Sequence, residues 1–150
     1  MLINPITLQN RLQRAIAQTP LLVKEQLEKS NLEKINIANL QQGKDSDGYN
    51  MPSYRNPDYA NFKTNRNPNN RGFWDLRLTG EYYKGINVSI FGSKVFFKQK
   101  FSNEKIDWLH ERLIFGGENR ALGITEKQFY DVQLQNIPKI RIRLEKIISG

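Results

Sequence analysis

The residues that could carry chemistry are few. His110 is the single histidine, and there is no cysteine. Set between Trp108 and Glu111 in a helical stretch, its imidazole could act as a general base only with a nucleophile and an orienting acid supplied from elsewhere. No G-x-S-x-G elbow, P-loop or G-x-G-x-x-G fingerprint accompanies it. Without Cys there is no thiol nucleophile, disulfide framework or thiolate metal site. His110 therefore reads as a helix-surface or boundary residue. Asp45-Ser46-Asp47-Gly48 is spelled like the opening of a calcium loop. Counted from Asp45, the twelfth position is Asn56, an amide where that loop needs a bidentate carboxylate. Asp47-Gly48 reads instead as a tight turn, because Gly supplies positive φ at no steric cost. Fifteen Asp and Glu permit many carboxylate pairs, but no spacing marks one out for glycosidic chemistry. The expectation is a non-enzymatic chain with no cofactor and no metal.

Binding is the next possibility. Phe73, Trp74, Tyr82, Tyr83, Phe91, Phe96 and Phe97 could form a base-stacking platform. Most fall on inferred strand or helix faces, where core packing is the commoner fate. The formal net charge is +8, yet each of the segments 1–43, 44–84, 85–120 and 121–150 carries an excess of two. No basic tail exists, although folding or assembly can still collect modest charges on one surface. Lys139, Arg143 and Lys146 recur at i, i+4, i+7 on the closing helix, as a DNA-facing or partner-facing row. With Arg66 and Arg71 they also support an alternative reading, a soluble basic nucleic-acid-binding protein.

The elements that must position these groups follow from periodicity. At 150 residues the chain is one domain. No run of 18 apolar residues suggests a membrane span, and Met1-Leu2-Ile3-Asn4-Pro5 lacks the features of a signal peptide. Synthesis in a cytoplasm is expected. Leu8, Leu12, Ala15 and Ile16 predict a helix over 7–18, broken at Thr19-Pro20, with a second helix over 21–29. The two-residue spacing of Ile35 and Ile37 predicts a short strand ending near Gln42, and so a hairpin over about 35–54 with Asp47-Gly48 at its tip. Asn56 caps a short helix, and 64–72 is too polar to order itself. Residues 43–73 are thus expected as a polar extended arm or loop, whose Asp45, Asp47, Tyr49, Tyr54, Tyr59, Arg66 and Arg71 are candidate contacts to other subunits or partners. Leu76, Leu78, Tyr82 and Tyr83 suggest a buried turn and short helix. Ile86, Val88 and Ile90 alternate into a hairpin over 85–99. Asn103 caps a helix over 103–115. Thr125 begins the last element, in which Pro138 starts a new helix or kinks a longer one. The fold class is α+β: a small antiparallel sheet packed with N-terminal, central and C-terminal helices.

Three motifs in this order carry a resemblance. They are Leu40-Gln41-Gln42-Gly43-Lys44-Asp45-Ser46-Asp47-Gly48, then Asp75-Leu76-Arg77-Leu78-Thr79-Gly80-Glu81-Tyr82-Tyr83-Lys84-Gly85, then Leu122-Gly123-Ile124-Thr125-Glu126. Over about residues 30–148 the chain resembles small virion proteins of tailed bacteriophages, especially the crAss-like group, and the wider neck and tail-completion family. The middle motif, with its Thr-Gly before a β-hairpin, is the most distinctive. The stretch 117–121 before Leu122 departs from the aromatic or aliphatic residue and Gly expected there. The resemblance implies a virion protein, assembled in the host cytoplasm, that forms a homo-oligomeric ring, twelve-fold in that family, at the portal and head–tail junction. It implies portal and tail proteins as partners, non-specific contact with packaged DNA, and no catalytic residues.

Overall fold

A computed structural model of the chain describes residues 4–70, 72–77, 79–115 and 118–150. Helix α1 spans Pro5–Glu28. Asn4 caps it, accepting from the Ile6 N–H at 2.9 Å, with Pro5 at the first turn where no N–H is needed. The expected break at Pro20 does not occur: Pro20 lies inside one continuous helix. An interior proline disfavours a helix by about 3 kcal/mol. Here both halves of α1 lie along helix α6, Glu126–Ser149, so tertiary packing outweighs the local preference. Helix α6 is equally continuous through Pro138 and begins with a capping box. Gln128 N–H donates to Thr125 Oγ1 at 3.1 Å, and Thr125 N–H donates to Gln128 Oε1 at 3.0 Å.

The strand expected at Ile35 and Ile37 is instead helix α2, Leu32–Gln41, so the hairpin over 35–54 does not form. The two-residue spacing has another cause. Leu32 and Ile35 pack into a cluster with Leu27, Ile90 and Val132, while Ile37 and Leu40 pack into a second cluster with Met51, Tyr82, Ile106 and Leu113. Residues two apart sit about 200° apart on a helix, and α2 runs between two cores. Asn36, fully buried between them, donates to the carbonyls of Ala121 at 3.0 Å and Gly123 at 2.7 Å. The tight turn is present after α2, closed by a bridge between Lys44 and Asn50 with Gly48 at φ +87°.

Of the arm or loop expected over 43–73, the described residues include a helix and several buried polar side chains. After the turn, helix α3 spans Pro57–Arg66, capped by Asn56 as expected. The polar stretch that follows is folded back: Lys63 is 4% exposed, Asn67 8% and Asn70 0%. Helix α4, Glu81–Gly85, leads into strands β1, Ile86–Phe91, and β2, Lys94–Gln99. Their antiparallel register pairs Val88 with Phe97 and Ile90 with Val95, the hairpin expected from the alternation. Helix α5, Glu104–Leu113, is capped by Asn103, which accepts from the Ile106 N–H at 2.9 Å. A two-residue ladder joins β3, Ile114–Phe115, to β4, Glu118–Asn119. The fold is α+β, with the β1–β2 hairpin packed against α1 and the core clusters below it. No described helix is long and apolar enough to cross a membrane.

Candidate interaction surfaces

The turn at 43–51 is held from within. Asp45 is 4% exposed, and its Oδ1 accepts the N–H groups of Asp47 at 3.0 Å and Tyr49 at 2.8 Å. Arg120 approaches the other oxygen at 3.7 Å and Asp47 at 3.8 Å. A carboxylate committed to backbone donors and a guanidinium holds the turn in shape. Tyr49 projects from it, 66% exposed.

The second region is built by the most polar part of the sequence. Asp75 and Lys63 form an ion pair at 2.6 Å with side chains 1% and 5% exposed. Burying two charges is tolerable only when the remaining polar atoms are satisfied, and here they are. The Asp75 carboxylate also accepts from Tyr54 Oη at 3.2 Å, Arg77 N–H at 3.0 Å and Asn67 Nδ2 at 3.3 Å. Lys63 donates onward to the Arg77 carbonyl, and Tyr83 donates to the Asp75 carbonyl. Asn67 also reaches the end of α2 through the Gln41 carbonyl at 2.7 Å. Burial first, then the Asp75 charge, pushes the Tyr54 and Tyr83 hydroxyls well above the usual phenol range, so both remain protonated donors.

Beside this network lies a cleft of about 280 Å³, walled by Tyr54, Tyr59, Trp74, Leu76, Tyr82 and Trp108. Trp74 and Trp108 are stacked at 6.3 Å, and the Arg112 guanidinium covers Trp108 at 3.9 Å. Tyr54 meets Tyr59 edge-on at 5.1 Å. His110 stands behind the cleft, its Nε2 3.1 Å from Tyr82 Oη. Desolvation lowers its pKa against the opposing pull of Asp107. The Lys63 ammonium at the cleft is taken by Asp75, and the lining sets aromatic walls beside Arg77, Glu81 and Lys105. Among the described residues, no group of three or more Asp, Glu and His gathers in a metal-holding arrangement.

The third region is the pair formed by α1 and α6. They run antiparallel: Arg11 donates to the carbonyls of Ile148 at 3.2 Å and Ser149 at 2.9 Å, while Asn136 reaches Ser30 Oγ at 2.9 Å. The inner parts of both helices join the core. In the outer part, α1 buries only Ala15 before Leu22, and α6 buries no residue beyond Asn136. Ile6 is 68% exposed, Ile16 72%, Leu21 68%, Ile137 55% and Ile142 54%. At about 100° per residue, Leu12 and Ile16 lie to one side of the Ala15–Leu22 seam. Ile137 lies to that same side of the seam on α6. Arg14, Lys139, Arg143 and Lys146 lie to the opposite side. Basic residues from both ends of the chain thereby come to one side of the pair, which also carries exposed Leu21 and Ile142 and the Glu25 partner of Arg143.

The residues singled out from the sequence are therefore dispersed. Asp45 is internal, and Tyr54 belongs to the buried network. Tyr59 and Arg66 lie on α3, with Arg66 over the Phe62 ring at 4.5 Å. Arg71 lies outside the described residues, as does Leu78. Lys139 and Lys146 are exposed, while Arg143 binds Glu25 at 2.5 Å. That contact and Lys29, the stronger influence, hold the Glu25 carboxyl below its usual range. Phe91 and Phe96 are exposed rather than core. The cleft, the Lys63–Asp75 pair and the exposure of Leu12 and Ile16 were not anticipated. A stripe such as Leu8-Leu12-Ile16 reads as core whether its cover is this chain or another. No protein-family model, no curated protein and no solved structure matches this chain.

Proposed function

We propose that this chain is a non-enzymatic structural protein of a tailed-phage virion, one subunit of an oligomeric ring in the neck at the portal and head–tail junction. The observation that carries the reading is the outer part of the α1–α6 pair. It is about 25 Å of two-helix structure that leaves Leu12, Ile16, Leu21, Ile137 and Ile142 largely in solvent. Several exposed large apolar side chains on one helix pair support an interaction site there. Leu12, Ile16 and Ile137 share one side of the pair, which suits contact with a neighbouring subunit, while Leu21 and Ile142 lie beside Arg14 and Lys146 on the other. Heterologous contacts between subunits close into a ring when the rotation permits. The motif order from Leu40 to Glu126 supplies the phage assignment.

The basic side, with Arg14, Lys139 and Lys146, supports a second reading as a nucleic-acid-binding protein, and within a ring it would face the DNA channel. Repetition of a few cations around a ring sums them into a strong field on a polyanion. Composition analysis of purified virions, with native mass spectrometry of the isolated protein, tests the proposal. A multimer and a fixed copy number per particle are expected. A protein absent from particles and monomeric in solution rules the ring out. Tight binding to short duplexes by such a monomer, falling steeply with salt, would transfer support to the second reading.

A further inference from the structure

Among the described residues, β1 and β2 pair only with one another. Strand β1 packs against α1 and α2, which leaves β2 as the open edge. The register decides which of its backbone groups face outward. Lys100 N–H donates to the Gly85 carbonyl at 2.8 Å, and the pairing continues from Ile86–Gln99 to Phe91–Lys94. Bonded pairs alternate along an antiparallel ladder. Phe96 and Lys98 therefore bond across to Ser89 and Asn87, while Val95 and Phe97 turn their N–H and C=O groups away from β1. Those four outward groups have no hydrogen-bond partner among the described residues. A groove of about 630 Å³ runs along this edge, lined by Val95, Phe96 and Phe97 alike. Successive strand residues point to opposite faces, so a groove lined by all three lies beside the strand rather than over one face. Leu122, Ile124 and Phe129 line it too. Ile124 and Phe129 pack with Val95 and Phe97 against the cluster of Leu27, Leu32, Ile90 and Val132. The groove thus sets unpaired backbone beside an apolar floor.

We infer that the outer edge of β2 docks an extended peptide segment of a partner protein, added antiparallel as a third strand. Two outward N–H and C=O pairs two residues apart, about 7 Å, match an extended backbone. They do not match a helix, which bonds its own groups internally. Partner side chains opposite Val95 and Phe97 fall on the inner side, over Ile124 and Phe129, and are apolar. Asp47 and Glu126 also line the groove and repel acidic side chains from that inner side. Partner side chains opposite Lys94 and Lys98 fall on the outer face, where both lysines are exposed. Those are acidic, because opposite charges facing across a ladder stabilise it and like charges destabilise it. The same rule disfavours a second copy of this chain. Pairing β2 with another β2 so that both Val95 and Phe97 are engaged sets Lys94 opposite Lys98 twice. The proposal does not rest on the ring reading.

The probe is a capped heptapeptide, Thr-Glu-Val-Thr-Val-Glu-Thr, whose valines face Val95 and Phe97 and whose glutamates face Lys94 and Lys98. Titration into the full chain, followed by calorimetry and amide NMR, is expected to give saturable binding with a Kd below about 1 mM. In the free protein the Val95 and Phe97 amides should exchange hydrogen fast and those of Phe96 and Lys98 slowly, and the peptide should protect the first pair. N-methylation of both peptide valines removes the N–H groups that face β2 and should weaken binding at least about tenfold. N-methylation of the central threonine touches the far edge and should change affinity by less than about threefold. Val95→Pro removes an outward N–H and no ladder bond, so it should weaken binding about tenfold while circular dichroism stays unchanged. Exchanging both peptide glutamates for lysines should weaken binding about tenfold. No saturable binding, or methylation that costs the same at either position, overturns strand addition. A lysine peptide that binds as tightly overturns the acidic partner. Protection of Val95 and Phe97 that grows with protein concentration alone gives the edge to a second copy and overturns the partner assignment. Virion composition decides the ring reading separately.

Discussion

Two regions of this molecule reverse what their compositions suggest. Residues 55–73, the most polar part of the chain, supply Lys63 to a buried ion pair with Asp75. The ends of the chain, with recurrent Leu and Ile, form helices whose outer parts are left in water. The difference is one of satisfaction. In the polar region the buried polar side chains find partners inside the chain: Lys63 on Asp75, Asn67 on the Gln41 carbonyl, and Asn70 accepting the N–H groups of Gly72 at 2.9 Å and Phe73 at 2.8 Å. Saturated polar groups can be buried. In the α1–α6 pair the two helices cover one another only along a seam, and two helices cannot enclose the remaining faces. The buried part of the polar region is thus satisfied within the chain, whereas the outer faces of the end helices are left in water.

The contrast can be broken most sharply at Asp75. Asp75→Ala leaves the Lys63 ammonium buried and unpaired, and a loss of about 3–5 kcal/mol in denaturant unfolding is expected. Replacing both partners, as Lys63→Met with Asp75→Leu, should be much less damaging. If it is equally damaging, the network's value lies in its other hydrogen bonds. Asn70→Ala strands two backbone N–H groups and should cost about 1–3 kcal/mol. A smaller effect, read against pH, comes from His110. Its folded pKa is lowered by burial, so the unfolded chain takes the proton first. Stability is fully present above the ordinary histidine value of about 6.5 and falls as pH drops below it. His110→Gln should flatten that slope in urea titrations between pH 7 and pH 5, and an unchanged slope would assign it to the carboxylates. The smallest effect on stability is expected at the ends. Ile16→Ser should alter monomer unfolding by no more than about 0.5 kcal/mol, since the side chain is already exposed, yet it should weaken self-association. A large loss of monomer stability instead would mean that Ile16 belongs to this chain's own core.

Much of the local structure was legible. The caps at Asn56, Asn103 and Thr125, the turn at Asp47-Gly48 and the hairpin over 85–99 each rest on interactions within a few residues, which a sequence displays directly. The errors share a cause. Pro20 does not end α1 because a distant helix, α6, supports it. Ile35 and Ile37 are not strand residues because α2 serves two clusters whose other members come from Met51, Tyr82, Ile90 and Val132. The burial of Lys63 and Asn67 was not legible because their partner, Asp75, lies beyond them in the chain.

The candidate surfaces show the same division. From residue types alone came the limits on chemistry: one imidazole, no thiol, an incomplete calcium loop, and an even charge of two per quarter. Only the tertiary structure joined the basic residues of the first and last segments across an antiparallel pair. Only it brought scattered aromatics together, Phe91 against Phe96 on the hairpin and Tyr54, Tyr59, Trp74, Tyr82 and Trp108 around one cleft. Periodicity records which residues share a face, but the cover of that face depends on elements far away in sequence.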